Sequence, residues 1–449
     1  MKSAKKKCVN SVIKILRKTV LFLFIIALSA ASIGAFLVDT PVCLAWQSAH
    51  YPLTISGYGT LGMPMDDRSD MSFLRDVSQE PDNPYKPYDE EWMWNIDSRM
   101  GIQANYRFSE YFDLMVQGVL RNQFKRDMGS AIETAFLAIH PFSDIKIRAG
   151  RIPYDAFLMS DIRNIGYAYL WVRPIIEFYG WIPIFSVDGV DATWNIYQGT
   201  VRWAVKAQTG YHSFYVPIDN QPYEFETKDL MSLTVSRQSG PFTLKLGCST
   251  FSSENEVDIF KPIISGLKEI SNSVSSTMPA ISDEAASLAE ELAFEGADVL
   301  YLTLGMAYDS GEWVIQGELA RSTSSADVLP HGEMGYLSVG HRFGDFTPYA
   351  VFSKILAGNA LKEPLNDWSA IGQEQLQNMA ASIINNTRID QKTYSLGTRW
   401  DFHNRASVKL QWDHTIINDH GYGLWYGGDK HVNEETDVNV LTVNLEFIF

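Results

Sequence analysis

Apolar and polar side chains alternate along most of this chain with a period of two, in segments of roughly ten residues. Such a period predicts strands whose successive side chains point to opposite faces. In the last segment Leu441, Val443, Leu445, Phe447 and Phe449 share one face. Thr442, Asn444 and Glu446 share the other, and Ile448 is the single lapse. Val201, Trp203, Val205 and Ala207 alternate in the same way with Arg202, Lys206 and Gln208, as do Val408, Leu410 and Trp412 with Lys409, Gln411 and Asp413. Sixteen such segments can be traced, from Tyr51–Met63 to Asp437–Phe449. One face is apolar and the other is wet.

The gaps between segments alternate in length. The connections after even-numbered segments are tight: "SE", "PF", "QG", "SG", "SG", "GD" and "HN". Those after odd-numbered segments are mostly long, notably 64–95, 152–186, 250–296, 357–388 and 419–436. The pattern predicts an all-β, up-and-down antiparallel transmembrane barrel with short periplasmic turns and long outer loops. An even strand number places both ends of the barrel on the periplasmic side. A soluble sandwich with an aromatic core is the alternative.

The first residues change the picture of where such a barrel would go. "MKSAKKKCVNSVIKILRK" carries seven bases and no acid, and the apolar run "TVLFLFIIALSAASIGAFLV" follows it. Residues 1–45 read as a signal peptide cleaved after Ala45, or alternatively after Ala49, which leaves 46–449 as the barrel. An uncleaved anchor helix is the other reading. The whole chain has a net charge of −16, with 37 bases and 53 acids. Removing the leader leaves 30 bases against 52 acids, or −22, which argues against nucleic acid as a partner. It also leaves Cys248 as the one cysteine, so neither a disulfide framework nor a cysteine metal site is expected.

Three long loops have character of their own. Residues 64–95 hold nine acids and three bases, and residues 250–296 hold nine acids and two bases. These loops read as solvated surface, or as sites for divalent cations shared with lipopolysaccharide. Within the second, "SDEAASLAEELAFEGAD" predicts a short helix capped by Ser282. The third long gap, "PYDAFLMSDIRNIGYAYLWVRPIIEFYGWIPIFS", is too apolar for a loop in water and is expected to fold inward against the barrel wall. Asp161, Arg163, Arg173 and Glu177 would then face the remaining opening as a constriction. A rim loop or a subunit contact is the alternative. Parity turns Arg99, Arg121, Lys146, Arg148, Arg202, Lys206, Lys245, Arg399 and Lys409 toward the lumen, against Asp97, Asp144, Asp191, Glu318, Asp401, Asp413 and Glu446. The slight basic excess predicts a weak preference for anions.

Catalytic patterns are sparse. "GYGTLG" at Gly57–Gly62 matches a dinucleotide-binding spacing, but "MPMDDRSD" follows where a helix would have to begin. The nine histidines form no HExxH, and no GxSxG is present. No enzyme, cofactor or metal is expected.

The sixteen segments, the terminal Phe449, the long third loop and the early strand "DSRMGIQANYRF" resemble the porins of Gram-negative outer membranes, as does the block from "IRAGRIPYDAFLMSD" to "SVDGVDATW". The resemblance spans Tyr51 to Phe449. It implies a water-filled channel for passive diffusion of small hydrophilic solutes and ions, contact with outer-membrane lipid and lipopolysaccharide, and a homotrimer. It also implies that Phe449 is a signal read by the barrel-assembly machinery. The acidic "PEFGG" stretch of general trimeric porins is absent from the third loop. A substrate-selective channel of the same fold, and a non-conducting structural or adhesive barrel, are the two rival readings.

Overall fold

The computed structural model describes Lys18 and residues 52–80, 92–125, 127–218, 221–329, 331–421, 423–427 and 434–449. The proposed leader, Lys18 apart, lies outside them. Sixteen antiparallel strands close into one barrel. In chain order they are β1 (Leu53–Asp66), β2 (Arg99–Arg107), β3 (Phe112–Arg121), β4 (Ile132–Phe142), β5 (Ile145–Pro153), β6 (Ser186–Gln198), β7 (Val201–Ile218) and β8 (Gln221–Ser239). The second half continues with β9 (Phe242–Ser253), β10 (Asp298–Asp309), β11 (Trp313–Ser324), β12 (Gly332–His341), β13 (Phe346–Ala357), β14 (Gln391–His403), β15 (Ala406–Ile417) and β16 (Thr436–Ile448). Each strand pairs with its sequence neighbours, and β16 closes on β1 in a register running from Tyr58↔Ile448 to Asp66↔Val440.

Closure leaves no sheet edge, so every wall strand satisfies its backbone in the ladder, as a lipid environment demands. The outward face is apolar. Ile55, Leu61, Ile102, Leu120, Leu246, Leu319, Leu337 and Leu396 are all exposed there. Aromatic side chains crowd the tight-turn end, among them Phe108, Phe112, Trp194, Phe242, Trp313, Phe346, Trp400 and Phe449. Phe346 and Trp400 stack at 5.6 Å, and Phe242 meets Tyr308 at 4.7 Å. A ring of this kind suits the membrane–water boundary, where an aromatic body meets lipid and a polar tip meets water.

Two expectations from the sequence are corrected. The alternating segments Thr200–His212 and Phe225–Gln238 predict a loop over 213–224, and among the described residues the structure has none there. β7 and β8 stay paired across that interval, through Phe214↔Phe225 and Tyr215↔Glu224, after a register shift between Gly210 and His212. The stacked rings of Phe214 and Phe225, 5.0 Å apart, reward that extension. Ser282 does not cap its helix either. That helix, Pro279–Leu292, starts three residues earlier, because Pro279 has no backbone N–H to leave unpaired in the first turn. The Ser282 hydroxyl instead donates to the carbonyl of Ser271 in the neighbouring helix.

The outer end is roofed by α1 (Lys261–Val274), α2 (Pro279–Leu292) and α3 (Glu374–Asn385). Their shared core contains Leu267, Ala285, Leu288, Leu292, Ala380 and Ile384. The Glu284 carboxylate clasps the roof, accepting from the N–H groups of Leu365 and Asn366, the Trp368 indole and the Gln377 amide. Burial works against its charge, but these donors outweigh it and hold the carboxyl below its ordinary pKa. Across the mouth, Ser72–Phe73 pairs with Trp425–Tyr426.

Candidate functional site

Between Pro153 and Ser186 the chain leaves the wall and crosses the lumen. Its apolar side chains explain why. Tyr154, Phe157, Met159, Trp171, Phe178, Tyr179 and Ile182 are buried, and they join one core with Tyr336, Tyr349 and Val351 of the wall. Phe178 meets Tyr336 edge-on at 5.4 Å, and the Trp171 indole donates to Ser338 at 2.7 Å. The stretch from Ile176 to Gly180 is a π-helical turn.

Polar bonds then stitch this loop to the wall. Lys409 of β15, itself fully buried, donates to three loop carbonyls, Gly166 at 2.8 Å, Tyr169 at 2.6 Å and Trp171 at 2.7 Å. Its fourth neighbour is Glu446 of β16 at 2.7 Å. Arg399 donates to the carbonyls of Tyr167 and Tyr169, and Asn444 donates to that of Val172. Near the loop's start, Asp155 sits between Lys206 of β7, at 2.6 Å, and Lys245 of β9. Thr303 of β10 donates to the Ala156 carbonyl, and Glu318 of β11 accepts from the Leu158 N–H at 2.8 Å and from Tyr179. Among the described residues, twelve wall strands hydrogen-bond this loop directly, and β1, β4, β5 and β6 do not.

The four loop residues singled out in the sequence are not gathered at one point. Arg173 is 2% exposed and pairs with Asp97 at 2.6 Å and Asp413 at 3.1 Å, with the Phe73 ring 4.6 Å from its guanidinium carbon. Glu177 is equally buried and accepts from Ser353, Gln391 and Thr393. Arg163 is buried and donates to the carbonyls of Tyr179, Ile182 and Ile184. Asp161 alone is exposed. These three buried groups hold the loop's shape, and Asp161 presents its charge to water.

The wall cations divide the same way. Arg99 donates to the carbonyls of Asn164 and Asp97 and to the Tyr169 hydroxyl. With Lys409 and Arg399 it belongs to the stitching. Lys146, Lys206 and Lys245 keep partial exposure, while Arg202, near the tight-turn end, is exposed and bonded to Asn195. Arg148 pairs with Asp191 at 2.5 Å, about midway along the wall. Outward of that pair lies a cavity of about 240 Å³, bounded by the Arg121–Glu133 and Arg151–Asp188 pairs, His212 and Tyr215. Asp155 and the Arg75–Asp76 pair of the first loop were missed in the sequence, and Asp97, turned inward by parity, was not matched to Arg173. The partners of Asp155 and Asp97 lie far away in the chain, whereas Arg75 and Asp76 are neighbours inside an acidic loop. Only "PYDAF", an acid set in an apolar run, hinted at Asp155.

No family model matches the chain, and no curated protein matches it in sequence. Solved structures do resemble it. Outer-membrane expressed OmpT of Vibrio cholerae is 13% identical over 90% of this chain and 99% of its own, with a TM-score of 0.46. Salmonella typhi OmpF is 11% identical over 88% and 97%, with a TM-score of 0.49. The anion-selective porin from Comamonas acidovorans is 10% identical over 88% and 99%, with a TM-score of 0.48. At such identities the likeness concerns shape, and the closed sixteen-stranded wall, its lipid face and its inward loop carry the assignment. The fold is that of the porins. Porin-type barrels reside in the outer membrane of Gram-negative bacteria.

Proposed function

We propose that this porin-type barrel is an outer-membrane channel for small hydrophilic solutes and ions, whose passage runs beside the third loop rather than through its centre. One observation carries the reading. Of the strands free of hydrogen bonds to that loop, three, β4, β5 and β6, are consecutive. Together with Arg121 at the end of β3 and the neighbouring part of β7 they carry a polar, charged strip from the outer cavity inward. The strip descends from Arg151–Asp188 and Arg121–Glu133, past Arg148–Asp191, to Lys146, Lys206 and the exposed Asp161. A passage so lined passes ions by replacing part of their hydration with fixed charges. Asp161, with Arg148–Asp191, forms its constriction, and the strip's basic excess supports a weak anion preference.

Transport of this kind is passive and needs no catalytic group, cofactor or metal. The barrel is exported by its leader and assembled through the terminal strand ending in Phe449. It contacts lipid and lipopolysaccharide outside, and it works as a homotrimer. A solute-selective channel is a variant of this reading, with the outer cavity as the binding site.

The density of bonds to the loop favours a second reading, a closed barrel whose roof works at the cell surface. Planar-bilayer recording separates the two. Steady current steps with a reversal potential in a KCl gradient support the channel, saturable block by one solute class supports the selective variant, and silence from folded, inserted protein supports the closed barrel.

A further inference from the structure

Where the first loop meets the third, a small cavity of about 20 Å³ is lined by Arg75, Asp76, Arg99, Arg163, Tyr179 and Phe185. Its three arginines are more than nine-tenths buried. A fourth guanidinium, Arg121, lies across Phe185. The ring centroid is 3.9 Å from the guanidinium carbons of both Arg121 and Arg163.

The carboxylates at this place do not match the cations. Asp76 pairs with Arg75 at 2.9 Å, and Glu133 pairs with Arg121 at 2.9 Å. The Asp97 carboxylate is taken by Arg173. Among the described residues, Arg99 and Arg163 bond neutral acceptors only, the carbonyls of Asn164 and Asp97 with the Tyr169 hydroxyl for one, and the carbonyls of Tyr179, Ile182 and Ile184 for the other. The carboxylates of Asp97 and Glu446 act on Arg99, and those of Asp76 and Glu133 on Arg163, through space only, without a hydrogen bond to either guanidinium among the described residues. A guanidinium has five N–H donors, and each of these two uses three, so two donors remain on each. Buried charge without a counter-charge is costly, and a cavity of this size is large enough for one water-sized guest. A water could accept hydrogen bonds from these donors but would leave the local positive charge unbalanced. A small anion would do both.

We propose that this cavity binds one monovalent inorganic anion of halide size, which ties the first loop to the third. The site adjoins the outer cavity of the passage across the Phe185 ring, with Arg121 on the passage side, and its test does not depend on whether the barrel conducts. Crystals of the full chain soaked in sodium bromide should show an anomalous peak in the cavity. Thermal unfolding in detergent, at matched ionic strength, should occur roughly 2–4 °C higher in chloride or bromide than in gluconate, which is too large to enter. Arg163→Gln should abolish that difference. No bromide in the cavity, equal midpoints in the three salts, or an undiminished halide effect in a folded Arg163→Gln variant would each overturn the proposal. If the variant does not fold, the bromide map and the wild-type midpoints decide.

Discussion

The ring of Phe449 lies over the backbone of Gly57, so close that a Cβ on that glycine would sit 2.2 Å from the ring carbon Cζ. The two residues also exchange both backbone hydrogen bonds, each 2.9 Å. Two pairs further along, on the same face, Phe447 covers Gly59 in the same way. The seam between first and last strands is thus two aromatic rings laid on two glycines, an arrangement that protects a bare strand and fixes its register.

Gly57→Val should therefore disturb closure more than its added volume alone suggests. Overpacking costs about 1–3 kcal/mol, and here the displaced ring belongs to the chain terminus itself. The folded fraction after detergent refolding, read as the heat-sensitive band on a gel, should fall sharply. Phe449→Leu, which vacates part of the space, should recover folding in the double variant.

Arg173 offers a test of the stitched loop. Removing one member of a buried ion pair costs about 3–5 kcal/mol, because the partner charge is left behind. Arg173→Ala should lower the unfolding midpoint strongly, and Asp97→Asn added to it should restore part of the loss. If the loop is freed by the first change, single-channel current should grow larger and noisier.

For the passage itself, Asp161→Asn should move the reversal potential in a KCl gradient toward stronger anion preference. Lys206→Gln should move it toward cations. An unchanged potential in both would place the current elsewhere.

Asp76 gives a dependence on acid. Burial opposes its charge, but Arg75, Arg121 and the Ser78 hydroxyl outweigh burial and lower its pKa from 3.8 to about 2. A carboxyl depressed on folding contributes stability that is complete above the unfolded value and is lost as pH falls through the folded one, here roughly 2 kcal/mol between about pH 4 and pH 2. The wild-type midpoint should drop over that window, and Asp76→Asn should flatten the drop.

The wall was legible because its signal is local. Period two and the short-turn rhythm are properties of neighbours in sequence, and the closed ladder follows them strand for strand. The roof helix α1 was not foreseen, although Ile263, Ile264, Leu267, Ile270 and Val274 recur on it at helical spacing; its core partners lie in α2 and, far along the chain, in α3. The loop's inward fold was readable from its excess of apolar residues. Its ion pairs were not. Arg173 and Asp97 are 76 residues apart, and nothing at either position names the other. The parity that turned Lys409 and Arg399 inward also could not distinguish a charge facing water from one spent on loop carbonyls.

The stitched loop also orders events in time. It follows five strands, yet many of its partners arrive much later. Tyr179 waits 139 residues for Glu318, Arg173 waits 269 for Thr442, and Val172 waits 272 for Asn444. Bonds of that span can form only after the last strands are in the wall, and long loops of chain are slow to close. The half-built barrel must hold an apolar segment with nowhere to dock, exposed to whatever surrounds it. The same strand that seals the seam delivers Thr442, Asn444 and Glu446, so completing the wall and seating its contents are one step.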